Sequence, residues 1–235
     1  MTQPPSASSG GSAPLSLGQR FVGMLTAPKA TYESVVSWPR WLGMLAITTA
    51  ITTVVMAAFL FSSAGTEIIR EQMMAQGNAQ PEQVERMLPI IKGFQVGIMP
   101  IAIPVVTVIM AGVLMGFFAI TGGTASFKQV LAVVVHSGVV STLIGVANIV
   151  VNWVRGSATN VTSLAGLAQA FDEHSFPAYV LTALDLAMFF SLFILAIGLG
   201  VLYRRRTGTI FAGLSAAYLI IALVIGGVRA ALGGS

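Results

Sequence analysis

The chain contains no cysteine, two histidines and very few charged residues among its 235 positions. The absence of cysteine excludes disulfides, thiolate metal sites, cysteine nucleophiles and palmitoylation. Charged residues make up 9% of the sequence, whereas an ordinary soluble domain has about 25%. The sequence also lacks a Walker-type loop, HExxH and GxSxG motifs, and paired carboxylates within its apolar segments. These absences predict a protein that is not an enzyme and that holds no cofactor and no metal.

The sequence contains five long apolar segments with very few charged residues. A helix needs about 20 apolar residues to cross a hydrocarbon core about 30 Å thick, and only helices and closed barrels satisfy their backbone groups in lipid. The runs in this chain are too long for barrel strands and do not alternate in polarity. The sequence therefore predicts an all-α, polytopic integral membrane protein with five transmembrane helices and additional short amphipathic helices. The predicted spans are residues 41–64, 94–120, 130–154, 184–203 and 210–231.

The segments around the spans differ in character. Residues 1–15 are rich in Ser, Pro and Gly, which predicts a disordered cytoplasmic tail. Residues 16–40 predict an amphipathic juxtamembrane segment, in which two short helices meet at Pro28 and lie on the membrane surface. Phe21, Leu25 and Tyr32 are expected to hold this segment there, with Arg20 and Lys29 towards the headgroups. Residues 65–93 predict a helical hairpin outside the membrane. Residues 41–232 form a single five-span membrane domain, because no other segment is large enough for a second core.

The distribution of lysine and arginine predicts the orientation in the membrane, because cytoplasmic loops carry an excess of these residues. With a cytoplasmic N-terminus, the inner segments hold seven of them and the outer segments five. The compact turn Arg204–Arg206 supports this orientation because it directly follows a span. We therefore expect a multi-pass protein with its C-terminus outside. The net charge of +4 does not indicate nucleic acid as a partner, since the basic residues cluster at span ends.

Four sequence pieces follow one another along the chain. They are LTAPKATYESVVSWPRW before the first span, PEQVERM in the outer loop, TGGTASFKQVLAVVVHS at the third span and ALDLAMFFSLFILAIGLG in the fourth. The first piece places a proline and an aromatic residue ahead of a Pro-Trp step, and the last is followed by basic residues. In this order the pieces resemble the Yip/Yif family of Ypt-interacting membrane proteins, in particular its bacterial members. The resemblance runs from about Leu17 to Leu232.

This resemblance implies five spans with a cytoplasmic N-terminus and an external C-terminus, in agreement with the charge distribution. It also implies a location in the bacterial inner membrane. Eukaryotic relatives bind small GTPases through their cytosolic parts, but this chain has a short cytosolic segment and lacks their DLYGP-type sequence. GTPase binding is therefore not expected here.

A few polar side chains lie inside or beside the predicted spans. His136 lies six residues into the third span and is interpreted as a neutral imidazole that shares hydrogen bonds with its neighbours, with a proton relay as the alternative. Asp185 and Arg229 fall at nearly equal depth near the outer boundary, which predicts a structural ion pair that Asn148 joins. The turn Arg204–Arg206 predicts contact with anionic lipid headgroups, at about 1 kcal/mol per basic residue, or a topological anchor.

Two functions from different classes fit this sequence. The first is a non-enzymatic scaffold or adaptor that organises lipids or partner proteins, because the polar groups are too few to line a pathway. The alternative is a small oligomeric transporter or channel, in which Pro100, Pro104 and His136 contribute to a broken helix and a polar path. The expected partners are the lipid bilayer and an unidentified membrane or cytosolic protein, and homo-oligomerisation is left open.

Overall fold

The computed structural model describes residues 14–75, 80–156, 161–172 and 174–233, and every regular element within those ranges is a helix. The all-α class predicted from the sequence is confirmed. Most of the predicted tail and the centre of the predicted hairpin turn lie outside the described residues. The helices are α1 (Leu17–Thr26), α2 (Pro28–Ser37), α3 (Leu42–Leu60), α4 (Ser63–Ala75), α5 (Pro81–Ile120), α6 (Phe127–Arg155), α7 (Ala165–Ala168), α8 (Phe176–Ala183), α9 (Leu186–Tyr203) and α10 (Thr207–Gly233).

Five of these helices, α3, α5, α6, α9 and α10, are long and apolar enough to cross a membrane, which confirms the predicted polytopic architecture. The bundle has two ends. We call one the arginine face; it comprises α1, α2, residues 121–126 and the turn Arg204–Arg206. We call the other the hairpin face; it comprises α4, the first turns of α5, α7 and α8.

The first span ends earlier than the sequence predicts, because α3 stops at Leu60 rather than at Ala64. The hydroxyl of Ser62 donates to the carbonyl of Phe59 at 2.7 Å and accepts from the N–H of Gly65 at 3.2 Å. These bonds turn the chain directly into α4. A Cβ on Gly65 would lie 2.1 Å from the carbonyl oxygen of Phe59, so the turn requires glycine at this position.

The second span is part of a much longer helix. The sequence predicts a hairpin helix and a separate span that begins at Phe94, but α5 runs through both as one helix of 40 residues. At 1.5 Å per residue it is about 60 Å long, twice the thickness of a hydrocarbon core. Glycine costs only about 1 kcal/mol inside a helix. The burial of Val84 and Leu88 against α3 and α4 outweighs this cost, so α5 continues through Gly93.

The predicted hairpin has its own small hydrophobic core at the hairpin face. Ile68 and Ile69 of α4 pack with Val84 and Leu88 of α5 and with the last turn of α3. Polar contacts reinforce the hairpin, because Arg70 pairs with Glu67 and, at 2.7 Å, with Glu85. Both acidic neighbours raise the pKa of Arg70, with the hydrogen bond to Glu85 as the main cause. The hairpin therefore extends α5 beyond the bundle as an ordered unit. The other residues that line its core are Met56, Phe59, Leu60, Met73, Ile91, Val96 and Ile149.

Helix α6 is the centre of the bundle. It contacts α3, α5 and α9 along its length and α1 and α2 at the arginine face. The half near the arginine face is almost entirely buried from Val130 to Val140, whereas Val150, Trp153 and Val154 near the other end are exposed. Helix α6 is consequently enclosed by its neighbours near the arginine face and only partly covered near the hairpin face.

Helices α1 and α2 differ from the surface helices that the sequence predicts. Tyr32, expected in the membrane surface, is fully buried, because α2 packs against α6 and α9. A Cβ on Gly198 of α9 would lie 2.6 Å from the Tyr32 ring, so this approach depends on glycine. Arg20, expected to reach the headgroups, is 7% exposed and donates to the carbonyl of Arg40 at 2.6 Å. The outer side of α1, with Val22 and Leu25 about half exposed, is free to face the membrane, as is Trp38 after α2.

Candidate functional site

The turn between α9 and α10 organises the arginine face. Arg204 has φ 52° and ψ 42°, a left-handed conformation that is uncommon outside glycine. This conformation lets the N–H groups of Arg204 and Arg205 both donate to the carbonyl of Gly200, the latter at 3.0 Å. Such bonds satisfy the last carbonyls of a helix. The three arginines are thereby held in a compact turn between two spans.

Arg205 joins this turn to the loop between α5 and α6. Its Nη2 donates to the carbonyl oxygen of Thr121, and its guanidinium lies over the Phe118 ring, 5.8 Å from the ring centre. The Phe118 ring in turn stacks on Tyr203, with centroids 4.1 Å apart and the planes 7° from parallel. Gly123 permits this stack, since a Cβ there would lie 2.6 Å from the Tyr203 ring. Arg205 is therefore positioned by α5, α9 and their loops together.

Two adjoining cavities open at the arginine face. The larger, about 650 Å³, lies between α2, residues 122–125 and the end of α9. The smaller, about 440 Å³, lies between α2 and the start of α10 and is lined by Lys29, Arg206 and Thr207. Both cavities share Glu33, Arg204 and Arg205 as lining residues.

The charge around these cavities is mainly positive. Lys29, Arg204, Arg205 and Arg206 face a single carboxylate, that of Glu33. The ion pairs of Arg70 lie at the opposite face, and among the described residues Glu33 forms no ion pair with these basic side chains. A surface of this kind attracts anionic groups such as phosphates and carboxylates.

Beneath the cavities lies a group of buried polar side chains where α1, α2 and α6 meet. His136 is fully buried, and its Nδ1 lies 2.7 Å from the carbonyl oxygen of Ala132 in its own helix. Its Nε2, the Tyr32 hydroxyl and the Arg20 Nε are buried without a hydrogen-bond partner among the described residues. Ser137 lies near Tyr32, but its hydroxyl donates to the carbonyl of Val134 at 2.7 Å.

Burial changes the acidity of the two groups in this cluster that lie outside the spans. It raises the pKa of the Tyr32 hydroxyl above its ordinary value, so this hydroxyl stays protonated. It also lowers the pKa of Arg20, and the positive charge of Arg40 acts in the same direction. The cluster therefore fixes the docking of α1 and α2 by packing more than by charge.

The hairpin face holds the other polar residues singled out by the sequence. Asp185 caps α9, because its carboxylate accepts from the N–H of Ala187 at 2.8 Å, while its own N–H donates to the Tyr218 hydroxyl at 3.0 Å. Arg229 of α10 lines a cavity of about 560 Å³ beside α7 and α8. Asn148 lies half buried on α6. The ion pair of Asp185 with Arg229 remains a prediction.

Sequence reasoning missed two parts of the arginine face. Lys29 and Glu33 of α2 line the cavities because α2 docks against α9, and an amphipathic pattern alone does not distinguish docking from surface binding. Gln129 also contributes, because its side chain donates to the carbonyl of Val36 at 3.3 Å and ties α6 to the end of α2. In the sequence, the position of Gln129 three residues after Ser126 predicts a capping box, but it does not predict the contact with Val36. Within the described residues, no three His, Asp or Glu side chains converge as metal ligands do.

These features define a helical membrane protein with five spans and with N-terminal amphipathic helices packed against one end of the bundle. A family model described as the Yip1 domain matches residues 22–228, nearly the whole chain, and the protein therefore belongs to the Yip1 family. The predicted membership of this family is confirmed, while the assignment to its bacterial members stays a prediction. No match was found among curated proteins or among solved structures.

Proposed function

We propose that this protein is a non-enzymatic membrane scaffold that holds a partner protein at the arginine face. The observation that carries the proposal is the pair of cavities there, around which four basic side chains face one carboxylate. Membership of the Yip1 family supports a role at the membrane. Charge around a cavity with no catalytic motif nearby suits binding better than chemistry.

The orientation proposed with this function places the arginine face in the cytoplasm, in the inner membrane of a bacterium. This side would then meet both anionic headgroups and cytosolic proteins. A partner with an acidic surface matches the charge of the cavities, and electrostatic complementarity favours fast and selective association. Anionic lipids next to the turn would hold the face at the membrane surface at about 1 kcal/mol per basic residue.

Crosslinking in native membranes tests this proposal. A photoreactive residue at Ser37, which lines the larger cavity, should give a reproducible crosslinked partner in the full-length protein. The double variant Arg204→Gln/Arg206→Gln should lose that product, whereas Arg155→Gln at the other end of the bundle should retain it. No crosslinked partner at Ser37, or a product equally strong in the double variant, would reject the scaffold.

A transporter or channel remains the second candidate, and one observation favours it. A cavity of about 400 Å³ lies between α3, α5 and α6, and it is lined partly by Thr48, Thr52 and Thr107. Their hydroxyls donate to carbonyls of their own helices at 2.7 to 3.2 Å, which leaves mainly methyl groups for the cavity. Flux through proteoliposomes decides the case, since a selective flux that Thr107→Phe blocks would support transport.

A further inference from the structure

A groove runs between α5 and α10 on the side of the bundle that faces lipid. The two helices pack against other neighbours, α5 against α3, α4 and α6, and α10 against α8 and α9. The space between them has a volume of about 470 Å³. Its walls are almost entirely apolar and include Val113, Leu114, Phe117, Gly213, Leu214 and Ala217.

The length of the groove corresponds to one leaflet of a bilayer. It extends from Thr121 to Val113 along α5 and from Thr209 to Ala217 along α10. Eight residues at 1.5 Å each give about 12 Å, and half of a hydrocarbon core is about 15 Å. The groove therefore begins at the arginine face and ends near the middle of the membrane. A partner's transmembrane helix would need a surface along the full thickness, whereas an acyl chain needs only this depth.

The mouth of the groove carries a positive charge. Arg205 lines the groove and also both cavities of the arginine face. A guanidinium has five N–H donors, and the hydrogen bond described for Arg205 uses one of them, towards Thr121. Its position over the Phe118 ring fixes it at the level where α5 ends. Arg205 is thus a cation held at the depth of a lipid headgroup.

We propose that this groove binds one anionic phospholipid, with an acyl chain between α5 and α10 and the phosphate at Arg205. The apolar walls, the length of one leaflet and the charge at the mouth together match such a molecule. The carboxylate of Glu33 lies on the α2 side of Arg205 and repels a phosphate there, so the headgroup sits on the side of α5 and α10. This inference rests on the proposed role of the arginine face as an anion-binding surface.

Native mass spectrometry of the full-length protein tests the lipid site. The protein is reconstituted with equal amounts of a phosphatidylglycerol and a phosphatidylcholine that carry identical chains, and the lipids retained after gentle delipidation are counted. We expect one phosphatidylglycerol per chain in preference to phosphatidylcholine. Arg205→Gln should weaken this retention about fivefold, the ratio that corresponds to about 1 kcal/mol, and Arg205→Lys should preserve part of it.

A second variant tests the groove separately from the charge. Gly213→Leu places a side chain in the groove, at a position where a Cβ meets nothing within 4 Å. It should abolish retention of the lipid although Arg205 is intact. Gly112→Leu is the matched control, because Gly112 is equally open but lies outside the groove. Thermal unfolding of both variants in detergent shows that they fold.

The outcomes separate this site from the scaffold proposal. Equal retention of both lipids, retention that survives Gly213→Leu, or displacement of the lipid by glycerol phosphate alone would overturn the acyl-chain site. A lipid that binds as expected, together with no crosslinked partner at Ser37, would leave the lipid site intact and reject the scaffold. If Arg204→Gln/Arg206→Gln loses the crosslinked partner and the wild type shows no lipid selectivity, the scaffold proposal stands and the lipid site is rejected.

Discussion

At the scale of single residues, close contacts at glycines determine how the arginine face assembles. Gly198 and Gly123 each lie against an aromatic ring, Tyr32 and Tyr203 respectively, at distances that a side chain does not allow. Both rings tie a peripheral segment to the bundle: the first holds α2, and the second holds the loop between α5 and α6. Small residues let helices and loops approach closely within membrane bundles, and here they also admit aromatic side chains.

The Tyr32 contact gives a prediction at this scale. Tyr32→Ala should lower stability by about 3 kcal/mol, because removal of a large buried aromatic leaves a cavity. Tyr32→Phe should cost little, since the buried hydroxyl has no partner among the described residues. Thermal unfolding in one detergent, with both variants compared to the wild type, checks the pair. A loss of similar size for both would show that the hydroxyl, and not the ring, stabilises the docking.

Asp185 gives a second prediction, because the carboxylate has two candidate roles. If Asp185 acts only as the N-cap of α9, Asp185→Asn should leave the stability unchanged, because the amide oxygen of asparagine still caps the helix. Asp185→Ala should then lower the free energy of unfolding by roughly 0.5–2 kcal/mol. If Asp185 also pairs with Arg229, Asp185→Asn should lower the stability of the protein as well. We expect Asp185→Asn and Arg229→Gln each to lower the unfolding temperature, with the double variant no worse than either single variant. No loss in Asp185→Asn would show that Asp185 acts only as a cap, and additive losses would show that Asp185 and Arg229 do not interact.

At the scale of helices, the sequence predicts the spans well and their ends less well. Hydropathy locates all five spans because a crossing helix needs an unbroken apolar stretch. The end of α3 was missed because it depends on hydrogen bonds of Ser62, which composition does not reveal. The continuity of α5 across Gly93 is not visible in the sequence, because it depends on the packing of Val84 and Leu88 against α3 and α4. The arginines were found from charge alone, whereas the roles of Lys29 and Glu33 depend on the docking of α2.

The docking of α2 leads to a prediction about the coupling between two helices. The chain has no cysteine, so Val35→Cys, fully buried in the wild type, reports on α2 alone. It should resist a water-soluble thiol reagent in detergent. Gly198→Leu on α9 should expose it, because the new side chain displaces the Tyr32 ring. Gly112→Leu on α5 should have no effect. If α2 merely lies on the membrane surface, both leucine variants will leave the labelling of Val35→Cys unchanged.

At the scale of the whole molecule, the two ends of the bundle differ in construction. The arginine face is closed by the buried half of α6, by α1 and α2, and by the stacked rings beneath Arg205. The hairpin face is built from α4 and the extension of α5, which form a separate hydrophobic cluster, and from the short α7 and α8. A tightly packed end with concentrated positive charge suits a binding surface that must keep its shape. This asymmetry connects the fold to the proposed scaffold and lipid sites.

The asymmetry also makes the orientation testable in intact cells. Ser37→Cys at the arginine face, Glu71→Cys on α4 and Ser163→Cys beside α9 provide three single-cysteine proteins with no background thiol. If the arginine face is cytoplasmic, an impermeant thiol reagent should label Glu71→Cys and Ser163→Cys and leave Ser37→Cys unlabelled until the cells are opened. The physical reason is the excess of lysine and arginine on the inner side, which resists translocation during insertion. The opposite pattern would place both cavities and the mouth of the groove outside, where a cytosolic partner cannot reach them.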